Sequence, residues 1–204
     1  MTDHVTLITG QEINLYTPDF TGVSLETFAL MLYRQLRYNG ATRRPYCVLE
    51  HTVRGARACL DPEQSRGLGA YARRTARHFL MHDLHEIITG DIASPIIRLI
   101  GKDRIDPIKE RLDAAIYGRF FEEPPGDHMR ECVAAVDQVM FQREWIDLMP
   151  TTFDKAAPGG CHDGPVRDFM LAHNMHPHKI DADYRATAQY LVGEFCHLWS
   201  VVRK

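Results

Sequence analysis

The sequence predicts an all-α protein, a helical bundle carrying a short β-hairpin near its N-terminal end. Three observations predict it. Segments with apolar residues three and four apart recur along most of the chain, as expected of helices with one buried face. Clusters of Gly and Pro separate these segments at spacings suited to short connections between packed helices. Strict apolar/polar alternation, the mark of a strand, is confined to residues 5–16, where VTLIT and EINLY flank Gly10 and Gln11.

With 204 residues, 45% of them hydrophobic and 25% charged, the chain can bury one core, and residues 1–204 are read as one domain. The 5–16 hairpin is expected to be a flap on the helical body. Pro18, Asp19 and Gly22 form a turn region, after which Ser24 is placed to N-cap a helix running to about Gln35. The polar run Arg37, Tyr38, Asn39, Gly40 then interrupts the chain. A second helix is expected from about Tyr46 to Leu60, its apolar side formed by Val48, Leu49, Val53, Ala56 and Cys59. A central helix should cover 70–89 and end at Gly90 in a left-handed cap. Ser94 and Pro95 open another helix, and a further one starts near Asp106 and stops before Pro124, Pro125 and Gly126. A long helix is expected over 127–149. Residues 150–178, rich in Pro, Gly, Asp and His, read as an irregular loop or lid, and 180–202 as a C-terminal helix.

Composition removes some functions. A formal charge of -3 gives no general footprint for nucleic acid, and the doublets Arg43-Arg44 and Arg73-Arg74 read as solvated surface. The five cysteines, Cys47, Cys59, Cys132, Cys161 and Cys196, form no CxxC pair and read as reduced thiols. Neither a signal peptide nor a long apolar run is present, so the expectation is a cytoplasmic protein with no membrane partner.

Two acids stand where acids are costly. On a wheel of about 100° per residue, Ala72, Ala76, Phe79, Leu80, Leu84 and Ile87 form one stripe, and Asp83 falls in its middle. In the long helix Asp137 lies between Val133 and Phe141, on a face shared with Met129, Val136, Met140 and Leu148. A carboxylate facing a core needs a cation, either a metal ion or a buried arginine. Glu144 shares the face of Asp137, but seven residues on it is about 10.5 Å along the axis, too far to bind the same ion. Together with His51 and His82, the two aspartates make a mixed nitrogen and oxygen set suited to Mn, Co, Fe, Ni or Zn. Glu86, one turn after His82, could orient or deprotonate water. Asp91 could reach the same space, and Arg37 could hold phosphate oxygens. His78 and His85 fall opposite the stripe and are expected to face solvent as bystanders. His162, His173, His176 and His178 match no structural zinc spacing.

The ordered set of His51, His82 with Asp83, and Asp137 resembles the HD-domain superfamily of metal-dependent phosphohydrolases. YCVLEHTV is similar to the segment around that family's first ligand, and AVDQVMFQ to the segment bearing its last aspartate. HDLHEIITGDIASP resembles the HD-x-x-E-x-x-TGD-x-x-x-P stretch of bacterial 5′-deoxynucleotidases, and the likeness, over residues 5–150, extends to small phage and bacterial HD hydrolases of dNTPs, dATP included. The resemblance implies an HD-type helical bundle and one divalent ion held by His51, His82, Asp83 and Asp137. Co, Mn or Zn is expected, with Mg, Fe and Ni as further options. It implies acid/base or water-positioning roles for Glu86 and Asp91 and a phosphate role for Arg37, with Tyr38 as the adjoining aromatic substrate contact. Ile97 stands where relatives often have a lysine; Arg98, one residue later, is the substitute substrate-binding cation.

The activity implied is hydrolysis of deoxynucleoside phosphates, as a 5′-monophosphatase or a dNTP triphosphohydrolase, in the cytoplasm of a bacterium or a phage-infected host. The expected partner is a small nucleotide, and the expected assembly a homo-oligomer, dimer or larger. An HD-type phosphodiesterase or dinuclear oxygenase is the alternative within the superfamily, and a non-catalytic nucleotide-binding regulatory module the alternative outside enzymes.

Overall fold

The computed structural model describes residues 3–120, 123–149 and 184–203, so the expected 150–178 lid, its histidines and Cys161 lie outside the described residues. Strands β1 (His4–Thr6) and β2 (Glu12–Asn14) pair antiparallel with Val5 opposite Ile13. The hairpin is anchored rather than loose, because Leu7 and Ile13 are buried in the main core. Helix α1 spans Leu25–Tyr33, and Ser24 caps it as its position predicts, its side chain accepting from the Thr27 N–H. Helix α2 (Val48–Leu60) starts two residues later than expected, with Cys47 in the cap position.

The central segment differs from the expected single helix. A 3₁₀ turn at Gly69–Tyr71 leads into α3 (Ala72–Met81); the chain then breaks at residues 82–85 and resumes as the short α4 (Glu86–Thr89). The break has a local cause. The His82 ring bonds back to the Phe79 carbonyl through Nδ1 at 2.6 Å, and the backbone tightens to three-residue bonds, Leu84 to Met81 and Glu86 to Asp83. The His82-Asp83 pair therefore sits on a kink, not on a helix face. Gly90 ends α4 with the positive φ that its position predicts, 72°, but its ψ of 167° lies outside the left-handed cap expected there.

Helices α5 (Ser94–Ile100), α6 (Lys102–Arg119) and α7 (Asp127–Leu148) follow, and α8 (Tyr184–Val202) returns to the body. α2 packs along α3, α8 lies on α1, α2 and α3, and α7 closes against α2 and α3. The buried face of α7 runs through Met129, Val133, Met140, Glu144 and Leu148; Phe141, expected in the core, is 39% exposed. Among the described residues no helix is long and apolar enough to cross a membrane, and Cys47, Cys59, Cys132 and Cys196 are free thiols.

One glycine positions the site. A Cβ at Gly55 would run into the Phe79 ring, so only glycine lets α2 and α3 approach this closely. His51 is one turn before Gly55 and His82 three residues after Phe79. The Phe79 ring packs beside both, its centroid 5.4 Å from His51 and 4.3 Å from His82. The close helix crossing is what brings the two imidazoles together.

Candidate metal centre

His51, His82 and Asp83 offer donor atoms that all lie within 4.8 Å of one another. Both rings are turned by a second contact. The Nδ1 of His51 lies 2.7 Å from Glu144 Oε1, and that of His82 contacts the Phe79 carbonyl; each oxygen can only accept, so each Nδ1 carries the proton. Nε2 is thereby the atom of each ring turned to the cluster, and both Nε2 atoms are buried. His51 Nε2 is 3.7 Å from Asp83 Oδ2 and 3.2 Å from Asp137 Oδ1; His82 Nε2 is 3.1 Å from Asp83 Oδ2. Two ligands about 2.1 Å from one ion and at right angles to each other are about 3.0 Å apart, so these spacings fit a shared divalent cation. Asp137 stands at the open edge of the group, its side chain 45% exposed.

The electrostatics also ask for a cation. Burial raises the Asp83 pKa, but His82, His51 and Arg37 more than offset it and hold the carboxyl well below its ordinary range. Burial lowers His82, yet Asp83 outweighs this and pushes the ring up to about 9. Protons thus gather where a divalent ion would replace them.

Residues 31–144, more than half of the chain, match the family model described as the HD domain. The protein belongs to the HD-domain family. That family is one of metal-dependent phosphohydrolases, and its domains bind divalent metals. An uncharacterized protein of Rhodobacter capsulatus is 30% identical over 116 residues, 56% of this chain. The aligned region is 56% of that protein, so the chain spans little more than half the length of the curated relative it matches.

Within this HD domain, Glu144 is a residue to which the sequence assigned no role. It is too far along α7 to join Asp137, as expected, but it is fully buried and supports His51 from behind. Tyr46 donates to its Oε1 at 2.6 Å and Tyr38 to its Oε2 at 2.9 Å, while Arg37 Nε lies 3.5 Å away. Burial raises its pKa; His51 and Arg37 outweigh this and bring it to about 2, so it stays a carboxylate. The signal was present in the sequence, an acid on a core face, but its partners come from residues 37–51 and could not be read from α7.

Arg37 also lies 3.4 Å from Asp83 Oδ2, which puts the expected phosphate-binding cation beside the cluster. Tyr38 follows it with φ 56° and ψ 31°, a left-handed backbone costly for a bulky residue. That turn lets the Tyr38 N–H reach the Asp91 carboxylate. Glu86 is 6% exposed and its Oε2 has no partner; burial first, then Asp83 and Asp91, push it up to about 10. Arg37, Glu86, Asp83 and Asp91 thus share one pocket of charge. Arg98 is exposed on α5, and none of the described contacts ties it to the centre.

His78 and His85 correct the expectation that they face solvent. They are 3% and 5% exposed. The wheel fails for His85 because the helix breaks before it, and α6 covers both rings: His78 Nδ1 lies 3.4 Å from the Tyr117 hydroxyl and His85 Nδ1 3.0 Å from Asp113 Oδ1. Arg44 is likewise no solvated doublet, since its guanidinium pairs with Glu50 at 2.8 Å.

Proposed function

We propose that this HD domain hydrolyses (deoxy)nucleoside phosphates with one divalent ion, Co, Mn or Zn, held by His51, His82, Asp83 and Asp137. The observation that carries the reading is the pair of buried Nε2 atoms converging on two aspartate oxygens. When bound, the ion supplies Lewis acidity to the phosphoryl group and to the attacking water. The chain's own groups do the rest. Arg37, fixed between Asp83 and Glu144, offers its guanidinium to the phosphate oxygens as their charge grows. Glu86 holds a proton on a buried carboxyl, kept there by burial and by the charges of Asp83 and Asp91, and gives it to the leaving-group oxygen as the P–O bond breaks. Glu144 keeps His51 in the tautomer a metal needs.

Two substrate forms fit, the 5′-deoxynucleoside monophosphate and the triphosphate. The test is a panel of the eight common ribo- and deoxynucleotides, each as mono- and triphosphate, with Mn- or Co-loaded protein, scored for phosphate, pyrophosphate and triphosphate. Glu86→Gln is expected to keep its metal by elemental analysis and to lose turnover by about 10²–10⁴-fold. Failure of the wild type to release any phosphorus product would overturn the reading in favour of a nucleotide-binding module. Two metals per chain with bound iron would point instead to a dinuclear HD oxygenase.

A further inference from the structure

A cavity of about 600 Å³ opens between α3, α6 and α7, and both His82 and Asp137 lie on its wall. We infer that it receives the nucleoside portion of the substrate, with Asp113, oriented by His85, as its polar reader; the inference rests on the nucleotide phosphohydrolase reading above. The geometry of the centre argues for this side. His51 is fully buried behind Glu144, and Asp83 is covered by Arg37. The half-exposed Asp137 is the corner from which a ligand can approach, and that corner belongs to the cavity.

The lining suits a flat, uncharged ring system and its sugar. Tyr117, Pro124 and Pro125 present flat apolar surface, while Ala114 on α6 and Ala134 on α7 are small and exposed, leaving width between the helices. The volume lies within the about 300–1,000 Å³ of ordinary ligand sites. Charge sets the direction of the ligand. Glu110 and Asp113 are acidic and would repel a phosphate, so the phosphate belongs at the His82 end and the neutral nucleoside toward α6. Arg130, the cation of the lining, stands at the rim with its side chain 62% exposed.

One buried polar atom at this wall lacks a hydrogen-bond partner, and a partly exposed carboxylate has an oxygen to spare. His78, 3% exposed, lines the cavity, and its Nε2 has no hydrogen-bond partner among the described residues. A buried polar atom is normally paired, and a ligand polar group, donor or acceptor according to the ring's tautomer, would pair this one. Asp113 has one oxygen held by His85 at 3.0 Å, and its side chain is 32% exposed. Its other oxygen can accept from an exocyclic amine or a sugar hydroxyl.

The test uses the full chain loaded with Mn, and the four common 2′-deoxynucleosides and their 5′-monophosphates as probes. Ala134→Trp and Ala114→Trp add bulk at exposed positions, so they fill the cavity without touching the core. Both should weaken nucleoside binding by calorimetry and raise KM for the monophosphates tenfold or more, with metal content unchanged and kcat within about threefold. Asp113→Asn should change the preference among the four bases, or between ribo- and deoxynucleotides, by fivefold or more, which a merely structural residue would not do. If the wild type turns over nucleotides and both tryptophan variants bind and react as it does, the cavity assignment falls and the phosphohydrolase reading stands. If the wild type neither binds nor turns over any nucleotide, both fall.

Discussion

His51 and His78 lie on neighbouring helices and are equally hidden, 0% and 3% exposed, yet their surroundings have opposite character. His51 is backed by a carboxylate that two tyrosines and an arginine hold in place, and its free nitrogen meets two more acids. His78 meets a tyrosine hydroxyl on one side and the fields of Arg77 and Arg74 on the other. Burial, then these two arginines, push its pKa down to about 4, so it is neutral at physiological pH. The lesson is that burial alone does not make a histidine a ligand. Acids around it do, because they both orient the ring and make the spot cationic in demand.

The comparison breaks most severely at the ligand side. His82→Ala should abolish metal binding and turnover together, by elemental analysis and phosphate release, whereas His78→Gln should keep its metal. A metal-free yet active His82→Ala protein would sink the mechanism.

Glu144→Gln is the next largest. It removes the charge behind His51 while keeping the shape, and outer partners of metal-bound histidines are worth about 10–100-fold in affinity. Metal titration against a competing chelator should show that loss, with activity recovered at saturating metal.

A pH series sharpens the same contrast. With His82 raised to about 9, the ring is protonated at pH 7 and must lose that proton to bind an ion. Metal affinity should therefore climb about tenfold per pH unit between pH 6.5 and 8, with proton release visible in buffers of different ionisation enthalpy.

The smallest effect is expected at His78. Its folded pKa of about 4 lies below its ordinary 6.5, so the unfolded chain takes up a proton that the folded one refuses. The neutral ring's stabilisation is present above pH 6.5 and is lost as pH falls through 4. Metal-free wild type should lose a few degrees more of Tm than His78→Gln between pH 6.5 and pH 4, on the order expected for a single titrating group.

Much of the fold was legible because it depends on local chemistry. Ser24 caps α1, Gly90 ends α4 with a positive φ, and the hairpin and long helices begin and end within a few residues of the expected places. Asp83 asked for a cation from its place in an apolar stripe, and it lies in the group it forms with His51 and His82; Asp137, expected on a core face, is instead 45% exposed. What the wheel misjudged past residue 81 was the course of the backbone, since it assumes one unbroken helix and His82 breaks it through its bond to the Phe79 carbonyl; Leu84 and Ile87 are buried as it placed them. His85 was misplaced for that reason. His78, still on α3, was misjudged because nothing in its own helix reveals that α6 covers the other side.

By itself, then, the sequence determined an all-α HD-type chain, the residue types of a metal centre, and the order in which they occur. Local rules suffice for these, because caps, periodicity and the cost of a buried charge act within a few residues. Only the tertiary structure decided that Glu144 stands behind His51, and that Gly55 sets the helix approach uniting His51 with His82. It alone decided that two apparent surface histidines are buried under α6 and that one of them, His78, borders a cavity. Those facts depend on side chains far apart in the chain meeting across packed helices, where no periodic pattern carries the information.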